Sequence, residues 1–341
     1  VLTTLTAVML LAVWFVGCSD DKKTEEPNLA EQVLDSVAVA VVDHVTKVEP
    51  ASTTEGPSPA ATIPEGIQGV TDVVSDGNRV YATTARGLLV YDIDSDQVNI
   101  VAADKPLTAV HLFDGAVYVG GDRLYTLQDN RLLPVDESYP DAITSLGDYS
   151  GRLVVGTGAG LFTRTEVGPV GLLDDVSVRG TAVFGDGLWI ATDGDGLYRW
   201  DGETMKRRFL RRDSSLFDNS RTLAAGPNHL YVGTPVGLFI FNGGSWRQLT
   251  ETDGLPSDDI TAIDASGWLV YVSTTGGTVS YFNDEFLPVK GVSDRTASCF
   301  ARVARKLFIG TPFDGLLMKS GATVRMLQAG EDAQAEVAAV Q

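Results

Sequence analysis

Between Val80 and Met318 the chain repeats one short phrase seven times: a strand, a Thr or Gly, a glycine turn and a second strand. The copies read VYATTARGLLVY, VYVGGDRLYTL, LVVGTGAGLFTR, LWIATDGDGLYRW, LYVGTPVGLFIF, VYVSTTGGTVSYF and LFIGTPFDGLLMK. Anchored on Thr84, Gly121, Thr157, Thr192, Thr234, Thr274 and Thr311, they recur at intervals of 37, 36, 35, 42, 40 and 37 residues. A period of this length marks a blade repeat, one small sheet that buries its faces only against its neighbours. The expectation is an all-β chain, a β-propeller of seven four-stranded blades. Such repeats report architecture and leave the ligand open.

Period-2 patterning and turn residues cut each copy into four strands. In the fifth, RTLAAG is the inner strand, LYVGT the second, LFIFN the third and SWRQLT the outer edge, with turns at Pro227-Asn228-His229, Pro235-Val236-Gly237 and Gly243-Gly244. Gly87, Gly160, Gly196, Gly237, Gly277 and Gly315 stand where a tight connection needs a positive φ. The second copy has Arg123 at that place, so its turn is expected to differ in type. The seventh copy closes with its own outer strand at 322–327. Residues 60–68 are the candidate extra strand if strand exchange closes the ring.

At 341 residues, 44% hydrophobic and 21% charged, the chain can bury one large domain plus extras. Its 45 acidic and 26 basic residues give −19, which excludes a nucleic-acid backbone as the expected partner, because that surface needs Lys and Arg to displace counterions. Residues 19–66 carry −7 and the last eleven −3, leaving −9 on the repeats (−19 + 7 + 3).

Residues 1–17 are an apolar run of signal-peptide length that ends at Cys18. Phe15-Val16-Gly17-Cys18 resembles the lipobox of bacterial lipoproteins, which implies diacylation of Cys18 and a lipid anchor in the membrane. An ordinary cleaved signal or a single N-terminal anchor is the alternative. Ser19 after the cysteine, by resemblance to enteric sorting, favours the outer membrane over the inner. The expected division is a lipoprotein signal peptide over 1–17, a tether over 18–66 with a short helix over 28–45, the propeller over 67–330 and an acidic tail over 331–341. The tether is rich in Pro, Ser, Thr and Ala, a composition that cannot build a core. With Cys18 acylated, Cys299 has no disulfide partner and reads as a small buried hydrophobe.

The phrases ETDGLPSDDITAI at 251–263 and LWIATDGDGLYRW at 188–200 resemble the two-component regulator propeller repeat, with its DGLP loop, inner strand, W-I-G-T and G-G-L turn. The resemblance covers about 260 residues. The repeat's Trp is kept only at Trp189; Tyr81, Tyr118, Val154, Tyr231, Tyr271 and Phe308 stand in the other copies. Membership implies a periplasmic sensory propeller. No kinase or helix-turn-helix segment follows the repeats in these residues, so any signal is expected to pass through a partner.

Residues for chemistry are scarce. His44, His111 and His229 are the three histidines, and no HxH, HExxH or CxxC spacing joins them to other ligands. There is no G-x-S-x-G elbow and no Walker loop. Asp193-Gly194-Asp195-Gly196 alternates carboxylates with glycine as calcium loops do, but lacks the downstream Glu and sits in a repeat turn. Asp193 and Asp195 are thus the metal candidates and calcium the metal they would take; otherwise no cofactor is expected.

The loops leading from each outer strand to the next inner strand hold Asp104, Asp141, Asp174, Asp175, Asp213, Asp218, Asp253, Asp258, Asp259 and Asp294, the last beside Arg295. Asp suits turns for its own reasons, yet a ring of them also makes an acidic funnel for cations or a basic partner surface. Lys206, Arg207, Arg208, Arg211 and Arg212 cluster on the outer strand of the fourth copy, where cations guard a solvent-facing edge or meet anionic lipid, lipopolysaccharide or a partner. The resulting expectation is a non-enzymatic, envelope-anchored scaffold that binds another envelope or extracellular protein or an extracellular ligand, with an accessory sensor role. A propeller hydrolase or lyase with a channel metal is the alternative.

Overall fold

The computed structural model describes residues 68–208 and 218–328. The expected signal peptide, the expected tether with Cys18 and His44, the candidate closing strand at 60–68 except its last residue, Arg211, Arg212, Asp213 and the acidic tail lie outside the described residues.

Seven four-stranded antiparallel sheets follow one another along the chain, each made of four consecutive strands. We number them blades 1 to 7, at 72–102, 109–134, 143–174, 178–208, 222–249, 260–288 and 299–326. The first strands of successive blades pack on one another in turn, and blade 1 meets blade 7, so the first strands form the inside of a closed ring. Connections between blades and turns between second and third strands therefore share one face, the loop face. The other two hairpin turns of every blade share the opposite one, the turn face.

The core lies between blades. Seven apolar clusters among the described residues each join two adjacent blades. The second strands, rich in β-branched and aromatic residues, feed them: Trp189, Tyr81, Val154, Tyr231 and Phe308 are all buried. Cluster by cluster, a blade alone leaves both faces bare, which is why seven copies stand or fall together.

The anchoring threonines act through their hydroxyls. Thr84, Thr157, Thr234 and Thr274, all buried, donate to the carbonyls of Gly87, Gly160, Gly237 and Gly277 at 2.8, 3.1, 2.9 and 3.0 Å. The same oxygens accept backbone N–H groups inside the turn, at Arg86, Ala159, Val236 and Gly276. Thr192 and Thr311 do the same across a turn one residue longer, reaching the Gly196 and Gly315 carbonyls. Blade 2, with Gly121 in place of Thr, has three residues between the paired Gly120 and Leu124, where Thr84 and Gly87 enclose two. At Gly277 φ is 130°, and a Cβ would lie 2.0 Å from the Ser293 carbonyl oxygen, so the neighbouring loop as well as the turn demands glycine.

Inside the ring, a second set of hydroxyls ties blade to blade. Thr71, Thr108, Thr144 and Thr261 donate to the carbonyls of Leu107, Ile143, Val178 and Ala297 at 3.1, 2.5, 2.6 and 2.7 Å. Ser298 donates to Val70 and so links the last blade to the first. Gly69 and Val70 also donate to Pro312 and Thr311 at 3.1 and 3.2 Å. Among the described residues no sheet borrows a strand from the other end of the chain.

Candidate functional site

Two positions break the hydroxyl set. In blades 4 and 5 the equivalent residues are Arg179 and Arg221, which the pairing registers place beside Val178 and before Thr222, as Thr71 stands before Asp72. Arg221 donates its backbone N–H to Gly233 at 2.8 Å, the same bond that Thr108 makes to Gly120 and Ser298 to Gly310. Arg179 bonds to Asp193 in its own blade, and Arg221 to Asp259 at the start of blade 6. Both arginine side chains remain close to half exposed. The loop face is thus asymmetric: five hydroxyl ties, then two adjacent charged pairs.

The Asp residues expected on this face divide by what they touch. Asp141 accepts the Ala142 N–H and Asp258 the Glu251 N–H, both at 2.7 Å, while Asp253 accepts the Thr250 N–H at 2.9 Å in a short 3-10 turn over Glu251–Asp253. These are turn-forming bonds. Asp259 faces Arg221, and Arg295 lies 2.5 Å from Asp314 in a blade 7 turn. Asp218 is buried, which raises its pKa above the usual carboxylate range, with the Asp195 charge adding to the rise and Arg207 opposing it. Its Oδ1 and the Ser220 Oγ are buried without a hydrogen-bond partner. Asp104, Asp174, Asp175 and Asp294 are exposed, and among the described residues no ion pair engages them.

Of the metal candidates, Asp193 is held by Arg179, and Asp195 lies 3.8 Å from Arg207. Among the described residues no group of three or more His, Cys, Asp or Glu is arranged to hold a metal ion. Arg207 also sits over the Tyr198 ring at 5.9 Å, so this member of the basic cluster has partners in its own blade. His111 on the inner strand of blade 2 pairs with Asp148 of blade 3 at 2.9 Å. Cys299 lies on the inner strand of blade 7; burial pushes its thiol far above the ordinary range, and the Asp72 charge adds to this.

A feature absent from the sequence reading lies on the turn face between blades 5 and 6. There a cleft of about 470 Å³ is lined by turns of both blades, including Asn228, His229, Arg247, Trp268, Asn283 and Asp284. Trp268 is 45% exposed. Arg247 donates to Asp284 at 2.5 Å, and the Tyr281 hydroxyl donates to the same carboxylate at 2.7 Å. The Tyr281 bond and then Arg247 hold Asp284 below the usual carboxylate range, while burial and Asp284 raise the Tyr281 phenol. The His229 ring packs 6.1 Å from the Tyr231 ring. The one signal in the sequence is a Trp in the polar turn ASGW, where no core position calls for it.

No protein-family model and no curated protein matches the chain. Solved structures do. The WD40 β-propeller domain of Doa1 superposes with a TM-score of 0.60 at 15% identity, covering 80% of this chain and 97% of that one. A chain of the mitotic checkpoint complex gives 0.58 at 15% identity, covering 80% and 96%. The extracellular domain assigned to a one component system, BT4673 from B. thetaiotaomicron, gives 0.52 at 20% identity, covering 75% of this chain and 40% of that one. At these identities the likeness is one of fold, a seven-bladed β-propeller.

Proposed function

We propose that the chain is a non-enzymatic binding scaffold, a stand-alone lipoprotein form of the two-component regulator propeller repeat. Acylated Cys18 holds it at the bacterial cell envelope, the outer membrane in preference to the inner. Its loop face meets another envelope or extracellular protein, or an extracellular ligand, in an accessory sensor role. The observation that carries the reading is the pair Arg179 and Arg221. Five of seven equivalent positions spend a hydroxyl on tying blades together. Two neighbouring ones carry long cations instead, a local departure from the stabilising rule of the kind that function imposes. A guanidinium has five N–H donors and one carboxylate engages at most two, so each keeps donors for a partner's carboxylate or carbonyl. The solved neighbours support a binding role by analogy, one being part of a checkpoint complex and one an extracellular domain.

Affinity capture of the full-length lipidated protein, after crosslinking in its native envelope, tests this. A reproducible partner is expected, lost in the double variant Arg179→Thr, Arg221→Thr, while that variant unfolds at an equal or higher denaturant midpoint. Equal capture by the variant, or nothing enriched over a lipoprotein sorted to the same membrane, would overturn the reading. Cys18→Ala is expected to release the protein from the membrane fraction.

One observation favours the alternative, a hydrolase or lyase with a channel metal: the unpartnered buried oxygens of Asp218 and Ser220. Calcium is the metal that oxygen ligands would take. Metal analysis of the purified protein decides it, since that reading expects a stoichiometric divalent ion.

A further inference from the structure

The cleft between blades 5 and 6 lies on the face opposite the arginine pair and is built differently from it. Its only formally charged lining groups, Arg247 and Asp284, are bonded to each other. In a chain of net charge −19, the cleft is therefore locally balanced. A charged ligand would meet no uncompensated opposite charge there and would have to break an existing pair.

What the cleft does offer is an aromatic face beside amides. Trp268 exposes nearly half its surface at the rim. Among the described residues no hydrogen bond engages the side chains of Asn228, Trp268 or Asn283. Each amide supplies two donors and an acceptor, and the indole one donor. The π face of the indole is electron-rich and attracts weakly positive C–H groups. A ligand that matches has a flat C–H face, many neutral donors and acceptors, and no charge, which describes a pyranose ring. The cleft is formed by hairpin tips and presents no strand edge for a peptide to extend. Its volume of about 470 Å³ falls in the small-ligand range.

We propose that this cleft binds a neutral oligosaccharide, with Trp268 as stacking platform and Asn228 and Asn283 as hydroxyl partners. The proposal concerns the turn face and does not depend on the partner reading of the loop face. Loss or survival of partner capture in the arginine variant leaves it untouched.

The test is calorimetric titration of the full chain, held in a detergent without a sugar headgroup, with cellotetraose, maltotetraose, mannotetraose and laminaritetraose. Tetragalacturonate and a proline-rich decapeptide are the comparators. One neutral tetraose is expected to saturate with a Kd below about 1 mM, with Trp268→Ala weakening it about tenfold or more and Asn228→Ala about threefold. Both sites are exposed, and unchanged thermal unfolding of the variants verifies their folds. Three results would each overturn the proposal: no neutral tetraose binding at about 5 mM, undiminished binding in Trp268→Ala, or tighter binding of tetragalacturonate or the peptide than of every neutral probe.

Discussion

Asp72 shows how much a single side chain on the channel wall depends on residues far from it in sequence. One oxygen accepts the N–H of Val73 at 2.8 Å and the other that of Val110, in blade 2, at 2.9 Å. Burial nevertheless raises its pKa to about 6, the two N–H bonds offsetting only part of the desolvation. The native state therefore holds this proton more tightly than the unfolded chain, whose ordinary value is 3.8. The stability it contributes is full below the unfolded value and falls as pH rises through 6. Asp96 behaves in the opposite way: its bonds to Arg325 and Tyr91 lower it to about 2, so its contribution is lost only in strong acid. Between pH 7.5 and 4.5 Asp72 passes through its raised value while Asp96 stays ionised. Thermal unfolding of wild type and Asp72→Asn at those two pH values should show the wild type gaining on the variant as pH falls; an equal difference at both would refute the assignment. None of this is legible in the local sequence DVVS, since the burial comes from strands of other blades. The role of the arginine pair likewise becomes visible only once the register is known.

At the scale of the element, the turn is the unit that the sequence states most plainly. The alternating strands, the tight glycines and the Thr before them placed the four-stranded blades, and the observed strands follow the cut, as in Leu230–Thr234 and Gly237–Phe241. Thr157 is fully buried, donates to the Gly160 carbonyl and accepts the Ala159 N–H. Thr157→Val keeps the shape and removes both bonds, depriving the Gly160 carbonyl of its hydroxyl and the half-buried Ala159 N–H of its acceptor, at a cost of about 1–3 kcal/mol. Chemical denaturation should show a lower midpoint with an unchanged slope; no change would mean that water replaces the hydroxyl. The inter-blade hydroxyls also leave a trace in the sequence, since each stands 13 residues before its anchor, as Thr71 does before Thr84 and Ser298 before Thr311. The same step gives Arg179 and Arg221 from Thr192 and Thr234. Their role was hidden because Thr at a strand start already has an ordinary local reason. The turn-face cleft was less legible still, since hairpin tips from two blades meet only when the ring closes.

At the scale of the whole molecule, the question is whether the ring has a weak seam. A propeller that closed by exchanging a strand would have one junction covalently unlike the rest. Among the described residues each sheet holds four consecutive strands, and the junction of blades 7 and 1 is made like the others. Its hydroxyl tie is Ser298 to Val70, the counterpart of Thr261 to Ala297 between blades 6 and 7. Its apolar cluster joins Val70, Val73 and Tyr91 to Phe308, Leu316 and Met318, with the Tyr91 and Phe308 rings 5.7 Å apart. At the rim Arg325 of blade 7 bonds to Asp96 and Tyr91 of blade 1. A junction with the same tie, the same kind of core and an ion pair across it, as Arg302 and Asp264 make between blades 7 and 6, has no reason to open first. Ser298→Ala and Thr261→Ala should therefore cost nearly the same, about 1 kcal/mol each, within one cooperative transition. If Ser298→Ala were far worse, or split unfolding into two steps by fluorescence and circular dichroism, the seam would be the weak point and closure would rest on that one hydroxyl.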